Sequence, residues 1–517
     1  MSHILHFYHL VALDYVNPYL TRPFLAPRYS NHHYITHERV LALAGLLGMD
    51  HPAVQTIVNV LPGDDLGIKV NNYLVGQYLR ALDMRRICHE IGAIFAGREP
   101  ICSGYSPGGV TTSVKTADVN QAITLLNKVK AFIGSPTDFA TGTPKTMMFD
   151  AVAAAHLFYE YFWIGNSWGH FMANGLYEGG FVNGVSDFTA HFIGRTGIAN
   201  NPDKRGFRRG YRLSAQNPFP GGGGYTPPSA LKILKIGESI ANSRYDKDEG
   251  GNYPGGAPFM HPWDGETSPN TSNEYSWLKS PRYDVSGTTE PNYQVFEVGP
   301  LARQVVQGNY FAGVLNALGY TLTPTWNAYG PDISSSSYPL YGAGIYPNGG
   351  PNLSSNQYIG DSTLDRIAAR AFETYLMGRM LSTYLTQLKS SYMVSGYSKN
   401  GCTDSDPSEI TSETKGYGMT EASRGALSHW IRAENGKIKK YQAIVPTTWN
   451  ASPTDINGNP GPAEKSLMNE GGVWVESLDE PIEVTRVTHS YDFCIACAVH
   501  LITPNGEVKK IPIPALP

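Results

Sequence analysis

The chain has 517 residues, of which 41% are hydrophobic and only 16% charged, and its formal net charge is −4. This much apolar residue with so little charge excludes a disordered chain, and the lack of a long Lys/Arg run argues against a nucleic-acid-binding protein. The length suggests roughly two to four domains of average size.

Apolar residues at helical spacing predict helices at several places along the chain. They cover residues 38–49, 117–133, 147–163, 228–241, 302–318, 362–388 and 464–470. The pattern is clearest at 362–388, where Ser362 or Thr363 is suited to cap the start of the helix. Residues 436–449 are predicted to form a strand that follows a turn at Asn435 and Gly436.

Two Gly- and Pro-rich regions, at 200–287 and 323–361, look like linkers by composition but are also rich in aromatic residues. We therefore expect ordered excursions over a helical body rather than domain boundaries. The longest apolar run, 151–165, is too short to span a membrane, and the N-terminal residues lack the basic start of a signal peptide. We expect neither a transmembrane helix nor a signal peptide in this chain, so the protein is cytoplasmic or another chain carries its export signal.

The spacing Cys494-x-x-Cys497-x-x-His500 points to metal or redox chemistry, because a short turn lets two sulfurs converge. Half of a structural zinc site, a thioredoxin-like redox pair, a thiolate-bound redox metal and two buried structural cysteines all remain open on spacing alone. The other three cysteines are isolated and are expected to be buried or incidental; they are Cys88, Cys102 and Cys402.

The residues around Cys494 and Cys497 favour one of these four interpretations. "HSYDFCIACAVH" (489–500) resembles the C-terminal signature of nickel–iron hydrogenase large subunits. Further segments match that family in its order: "HFYHLVALDYV" (6–16), "PGGVTT" (107–112), "LKSPRYD" (278–284), "FEVGPLAR" (296–303), "EASRGALSHWI" (421–431) and "VPTTWNASP" (445–453). The resemblance implies a mainly α fold with small β elements (α+β), a helical core around a buried bimetallic site, and one large domain over residues 1–500. The predicted helices agree with that fold.

The resemblance also implies roles for single residues. Cys494 would bind nickel terminally and Cys497 would bridge nickel and iron. His500 and the backbone carbonyl of Ala443 would bind a nearby Mg²⁺. Arg424 would lie over the open face of the metals.

Four further residues surround these positions. Asp492 would anchor Arg424 through a charged hydrogen bond, and Thr447 would hydrogen-bond a cyanide on the iron, which carries CO and cyanide ligands in the family. Ser423 replaces the proline that precedes the arginine in the family, which removes a backbone restriction in the ligand pocket. Phe493 likewise replaces the proline before the first cysteine of the pair.

The implied reaction is reversible heterolytic cleavage of H2, with electrons passed to a small subunit that carries the iron–sulfur clusters. Family members have an earlier Cys-x-x-Cys upstream of "HFYHL", so we expect it in a missing segment or a separate polypeptide. The alternatives are a split or partial large subunit that needs a second chain, a non-catalytic metal-binding relative in an electron-transfer complex, or a zinc-binding interaction protein.

The chain continues past His500. In the family such an extension is removed by a dedicated maturation protease, and residues 501–517 fit a tail of this kind; an ordinary surface hairpin is the other interpretation. The enzyme would be cytoplasmic, or membrane-associated or periplasmic through its small subunit.

Overall fold

The computed structural model describes most of the chain. The described residues are 1–16, 34–99, 101–106, 109–110, 112–135, 137–158, 161, 164–175, 178–182, 210–213, 229, 231–270, 274–307, 361–389, 412–468, 481–493, 500–502 and 508–510.

Helices are the main secondary structure of these residues. They are α1 Ser2–His6, α2 His37–Leu47, α3 Pro52–Gln55, α4 Leu66–Ala96, α5 Thr116–Ile133, α6 Asp138–Thr141, α7 Met147–Leu157, α8 Pro300–Gln307, α9 Thr363–Gln387, α10 Pro446–Asn450, α11 Pro462–Leu467 and α12 Ile482–Ser490. Short 3-10 or π turns cover Phe7–Val11, Ala12–Asp14, Thr56–Val60 and Ile233–Lys235. None of the described helices is long and apolar enough to cross a membrane.

The two longest helices, α4 and α9, begin at side-chain caps. Asp65 Oδ1 accepts a hydrogen bond from Ile68 N at 2.8 Å at the start of α4. At the start of α9, Ser362 Oγ accepts from Asp365 N while the Asp365 carboxylate accepts from Ser362 N, a reciprocal capping box. Helix α9 packs against α5, α7, α8 and α12. It therefore lies at the centre of the helical core, and its buried charged residues reach several other segments.

The strands form small antiparallel sheets. They are β1 Tyr105–Ser106, β2 Gly109–Val110, β3 Phe171–Ala173, β4 Glu178–Val182, β5 Gly210–Arg212, β6 Ile236–Ser239, β7 Ser280–Asp284, β8 Tyr293–Gln294, β9 Thr414–Ala422, β10 Gly425–Glu434, β11 Lys437–Ile444, β12 His500–Ile502 and β13 Val508–Lys510. The largest sheet has the order β11-β10-β9-β4, and β6-β7-β8 form a second sheet. The remaining pairs are β1-β2, β3-β5 and β12-β13.

Aromatic side chains build a second apolar cluster around these sheets. Trp263 and Trp430 meet edge to face with ring centroids 5.1 Å apart, and Trp263 Nε1 donates to Gly416 O at 2.9 Å. Trp449, Phe296 and other buried residues complete the cluster. The aromatic residues of 231–270 and 274–287 are therefore ordered, as expected from the sequence. The expectation for 323–360 lies outside the described residues.

Several predicted elements are found with small shifts of their ends, but one is wrong and another is wrong in part. The strand predicted at 436–449 ends early: β11 stops at Ile444, and Pro446–Asn450 is helix α10, because proline suits the first position of a helix.

The described residues of 228–241 do not form an α-helix: Ile233–Lys235 is a short 3-10 turn, and Ile236–Ser239 is strand β6, paired with β7. The isoleucines of this segment are three and four residues apart, and this spacing produced the helical pattern. In the structure Gly237 instead allows close packing within the sheet, since a Cβ there would lie 2.7 Å from the Tyr293 ring. Helix α7 ends at Leu157, earlier than predicted. Residues 308–318 of another predicted helix lie outside the described residues.

Candidate metal centre

Arg424 lies in the two-residue turn between β9 and β10. Ala422 and Gly425 pair across the hairpin, which leaves Ser423 and Arg424 at its tip. The Arg424 guanidinium Nη2 lies 3.1 Å from Asp492 Oδ1, and 32% of the Arg424 side chain is exposed. Its Nε is buried without a hydrogen-bond partner among the residues that the structure describes. The guanidinium is therefore anchored by one carboxylate and retains donors for a further acceptor.

Asp492 lies two residues after the end of helix α12 and connects this helix to two arginines. Its buried Oδ2 lies 3.9 Å from Arg370 Nε. Its φ of 59° is in the left-handed region, which Asp adopts more readily than most residues. Burial raises the pKa of the Asp492 carboxyl, and the guanidinium groups of Arg370 and Arg424 oppose that rise. The left-handed conformation turns the chain out of α12 immediately before Phe493.

Arg370 holds the last turn of α12 from helix α9. Its Nη1 donates to Ser490 O at 2.8 Å. Burial lowers the pKa of Arg370 to about 10, while the nearby carboxylates of Asp492 and Glu373 oppose the fall. Arg370 is thus a cation at neutral pH, and Asp492 lies between two positive charges.

Aromatic stacking fixes the residues on either side of Asp492. The Tyr491 and Phe493 rings are nearly parallel, with an interplanar angle of 4° and centroids 5.4 Å apart. The Arg366 guanidinium lies 3.9 Å above the Tyr491 ring, and Tyr491 Oη donates to Pro462 O at 3.1 Å. Phe493, which the sequence comparison placed where the family has proline, is therefore held by stacking on Tyr491.

The other two residues expected in the pocket lie on nearby elements. Ala443 is in β11 opposite His429 of β10. Thr447 is in the first turn of α10, which begins at Pro446 because proline suits the first position of a helix. Within the described residues, neither Ala443 nor Thr447 hydrogen-bonds to Arg424 or Asp492. The structure thus joins Arg424, Asp492 and Ser423, and within the described residues it shows no hydrogen bond from Ala443 or Thr447 to them.

The predicted thiolate ligands come next in the chain. Cys494 and Cys497 lie outside the described residues, and of His500 only the backbone is described, as the first residue of β12 opposite Lys510. Among the described residues, no group of three or more His, Cys, Asp or Glu side chains could hold a metal ion.

The described surroundings nevertheless fit a thiolate-bound metal. The chain enters the Cys-x-x-Cys segment from a buried, fixed position, and a guanidinium held by Asp492 lies next to that entry. A cation there favours the deprotonated thiolates that bind metals, and soft thiolate ligands suit nickel and iron.

Comparison with known proteins identifies the family. A family model described as nickel-dependent hydrogenase matches residues 64–500, a range that contains Arg424, Asp492 and the Cys-x-x-Cys-x-x-His segment. The chain belongs to the nickel-dependent hydrogenase family.

Relatives extend the match of this hydrogenase chain over nearly its whole length. It is 30% identical to the uptake hydrogenase large subunit of Afipia carboxidovorans, covering 98% of this chain and 79% of that protein. It is 29% identical to the periplasmic NiFeSe hydrogenase large subunit of Desulfomicrobium baculatum, covering 99% of this chain and 78% of that protein. The crystal structure of the reduced, active NiFeSe hydrogenase from Desulfomicrobium baculatum superimposes with a TM-score of 0.60 at 26% identity, covering 96% of this chain and 79% of that one.

These matches confirm the predicted fold class, a mainly helical hydrogenase large subunit with small sheets. The hydrogenase chain is the large, catalytic subunit of an oxidoreductase that acts on H2 at a nickel–iron centre. A large subunit in turn implies a small subunit as its partner.

Sequence reasoning missed the buried charges that support the hydrogenase site. Arg303, Arg370, Glu373 and Glu421 were not singled out, although each lies inside a segment that was. A signal was present in α9, where Arg366, Arg370 and Glu373 recur at helical spacing within a buried face. Charged residues at such positions are rarely buried without partners, so they indicate a buried ion-pair network.

Proposed function

We propose that this chain, together with an iron–sulfur small subunit, catalyses reversible heterolytic cleavage of H2, with Cys494 and Cys497 as metal ligands and Arg424 as the residue over the open face. The observation that carries the proposal is the ion pair of 3.1 Å between Arg424 and Asp492 at the entry to the Cys-x-x-Cys segment. This ion pair supports a guanidinium that is held beside the proposed metal ligands rather than extended into solvent.

Arg424 has two tasks in this proposal. One N–H would donate to a cyanide on the iron and so stabilise charge at the centre in the manner of a preorganised hydrogen-bond donor. A guanidinium nitrogen of Arg424, when transiently deprotonated, accepts the proton released from H2. Asp492 keeps the guanidinium in position through its charged hydrogen bond.

Ser423 and Thr447 would border the same ligand pocket in this proposal. Thr447 Oγ1 would donate to the second cyanide, and Ser423 would border the approach to Arg424 as its chain neighbour. Both are hydroxyl side chains, which can donate to an anionic ligand without adding charge.

The metal centre carries CO and cyanide on its iron. When bound, the nickel–iron centre supplies the redox-active Lewis acid at which H2 is polarised. A Mg²⁺ held by the His500 side chain and the Ala443 carbonyl would lie nearby. The iron–sulfur clusters belong to the small subunit, since five cysteines are too few for clusters as well.

Maturation and location complete the proposal. Residues 1–500 form the large-subunit domain, and a maturation protease removes 501–517. Pairing of His500–Ile502 with Val508–Lys510 would place the cleavage point at the start of a hairpin. The cellular side follows the small subunit, cytoplasmic or periplasmic.

The proposed ligands can be tested by metal analysis. Replacing Cys494 or Cys497 with serine should reduce nickel and iron in the purified holoenzyme at least tenfold, because a hydroxyl is a poor ligand for these soft sites. Nickel and iron are measured by plasma mass spectrometry, and activity by H2-dependent dye reduction. Cys88→Ser, which changes a half-buried free thiol on α4, is the matched control.

The control should retain its metals and its H2 turnover. Full nickel and iron content in Cys494→Ser and in Cys497→Ser would overturn the proposed ligand set.

A further inference from the structure

We propose that Arg303 is a positioning residue for hydrogen cleavage: it clamps the backbone of the turn that presents Arg424. The proposal rests on the role proposed above for Arg424. Helix α8 carries Arg303, whose side chain is almost fully buried (1% exposed). Its guanidinium reaches the β9–β10 turn, far from it in sequence.

Two carboxylates set the orientation of the Arg303 guanidinium. Nε and Nη2 donate to the two oxygens of Glu373 at 2.9 and 2.5 Å, which is a bidentate pair. Nη1 donates to Glu421 Oε2 at 2.8 Å. Because a planar fork bound on two sides cannot rotate, the remaining donors point in fixed directions.

Those remaining donors hold the turn. Nη1 donates to Ala422 O and Nη2 to Ser423 O, each at 3.0 Å. These are the two carbonyls that immediately precede Arg424. The turn itself contains no proline, so its own backbone does not restrict φ at Ser423 or Arg424 beyond ordinary limits. Arg303 therefore supplies the restraint from outside the turn.

Backbone contact connects the two segments a second time. A Cβ on Gly425 would lie 2.6 Å from Gly299 N, and a Cβ on Gly299 would lie 3.2 Å from Arg424 O. Gly299 O accepts from Arg303 N at 2.9 Å, at the first turn of α8. The start of α8 and the tip of the hairpin thus form one close-packed unit.

The two restraints on Arg424 act on different parts of it. Asp492 holds the guanidinium at one end of the side chain. Arg303 holds the carbonyls at the other end, where the main chain enters residue 424. A side chain with several rotatable bonds reaches a defined point only if both ends are fixed, so loss of the backbone clamp should displace the Arg424 guanidinium.

The test uses the purified holoenzyme with its small subunit. Arg303→Lys keeps the charge but offers a point-like ammonium that cannot serve two carboxylates and two carbonyls together. We expect kcat per nickel for H2 oxidation to fall about 10- to 100-fold, the range expected for misplacement of a catalytic group by about 1 Å. KM for H2 should change less than twofold, since Arg303 does not contact the substrate.

A second substitution provides the rescue. A proline at position 423 restricts φ within the turn itself. The φ of Ser423 is not positive, so it has the sign that proline requires. The double variant Arg303→Lys with Ser423→Pro should recover part of the lost kcat. A merely structural role for Arg303 predicts no such recovery.

Arg282→Lys is the matched control. Arg282 is fully buried, pairs with Asp455 at 2.7 Å and donates to backbone carbonyls, none of them in the β9–β10 turn. It should lower thermal stability and leave kcat per nickel unchanged. Normalising to bound nickel separates altered turnover from loss of folded enzyme.

If Arg303→Lys yields no holoenzyme, the Glu421→Gln variant tests the backbone clamp instead. The amide keeps the shape of Glu421, whose two oxygens accept from Arg303 and from Asn174 N, but it can accept from only one of them. A drop in kcat per nickel of at least threefold supports the clamp.

The proposal is overturned if kcat per nickel stays within twofold of wild type in Arg303→Lys, or, failing that variant, in Glu421→Gln. It is also overturned if Arg282→Lys lowers kcat per nickel as much. Absence of H2 turnover in nickel-loaded wild type would instead overturn the proposed function.

Discussion

At the scale of single residues, Asp492 is the residue on whose contacts the candidate site depends most. It joins the end of α12 to Arg424 of the hairpin and to Arg370 of α9. Its backbone adopts a left-handed conformation that Asn also tolerates. An Asp492→Asn variant therefore removes the charge and preserves both shape and backbone.

We expect Asp492→Asn to lower turnover per nickel about tenfold or more, since a charge-assisted hydrogen bond contributes about 1.5–3 kcal/mol. Turnover is measured by H2-dependent dye reduction on the holoenzyme. Asp455→Asn, which changes a buried carboxylate paired with a different arginine, is the control and should keep its turnover per nickel. Equal turnover in Asp492→Asn and wild type would mean that Arg424 needs no anchor.

Residue identities in the site were within reach of the sequence, because Arg424, Asp492 and Ser423 lie inside segments that resemble a family. The roles of the residues that support them were not, even for Arg303, which also lies inside such a segment. Arg303 and Arg370 lie 121 and 54 positions before Arg424 in the chain, and no local pattern indicates which carbonyls a buried guanidinium will reach. Only the three-dimensional packing of α8 and α9 shows that Ser423 O and Ser490 O are those acceptors.

At the scale of elements, the crossing of the α8 start with the β9–β10 hairpin depends on two glycines, Gly299 and Gly425. Gly425 has φ of 133° and almost no space for a side chain. Gly418, in the middle of β9, would have nothing within 4 Å of an added Cβ and has no positive φ. Gly425 and Gly418, in one hairpin, thus differ in both strain and space.

Gly425→Ala should destabilise the holoenzyme by about 3 kcal/mol, because it combines an unfavourable φ with overpacking against backbone. Gly418→Ala should change stability by less than about 0.5 kcal/mol, as for an ordinary surface substitution. Differential scanning calorimetry of both variants measures the difference. Equal shifts in the unfolding temperature would contradict the close crossing.

Helices with a clear apolar stripe were predictable, even where charged residues are buried beside it, as in α9. A helix without such a stripe was not. Residues 362–388 and 117–133 were predicted almost to their ends. The longest helix, α4, was missed, because its buried side includes Lys69, Asn71 and Gln77. Asn71 Nδ2 donates to two backbone carbonyls, a tertiary arrangement that no apolar period reveals.

The hairpins also include one feature that the sequence predicted and two strands that it did not. Asn435 and Gly436 have φ of 51° and 69°, so the Asn-Gly turn predicted before β11 is present. Strands β9 and β10 were not predicted at all. Both contain glycine, alanine and charged residues that weaken the strand signal, and they are stabilised by pairing with β4 and β11.

At the scale of the whole molecule, the helical core contains a buried carboxyl group far in sequence from the β9–β10 turn. Asp150 of α7 accepts hydrogen bonds from Tyr8, Tyr73 and Gln77 at 2.6–2.8 Å. Burial raises its pKa from 3.8 to about 6, against the effect of these donors. Three segments of the core therefore meet at one titrating group.

A raised carboxyl pKa means that the folded state holds a proton which the unfolded state releases. The resulting stability is complete below the unfolded pKa and is lost as the pH rises through about 6. Between pH 5 and pH 8 wild type should lose about 1.4 kcal/mol relative to Asp150→Asn, one pKa unit of linkage. Denaturant unfolding at both pH values measures it. A pH-independent difference would mean that the three donors keep Asp150 ionised throughout.

The charged face of α9 also bears on the order in which the chain is made. Arg366 and Glu373 find partners in Glu297 and Arg303, which leave the ribosome before the helix does. Arg370 must wait for Ser490, 120 residues later. Until then the acceptor for its Nη1 is the Arg366 carbonyl of its own helix, at 3.4 Å. Arrival of the segment that leads into the cysteine pair therefore gives Arg370 its long-range acceptor, and the last partners of this helix face in chain order, Ser490 and Tyr491, lie just before Cys494.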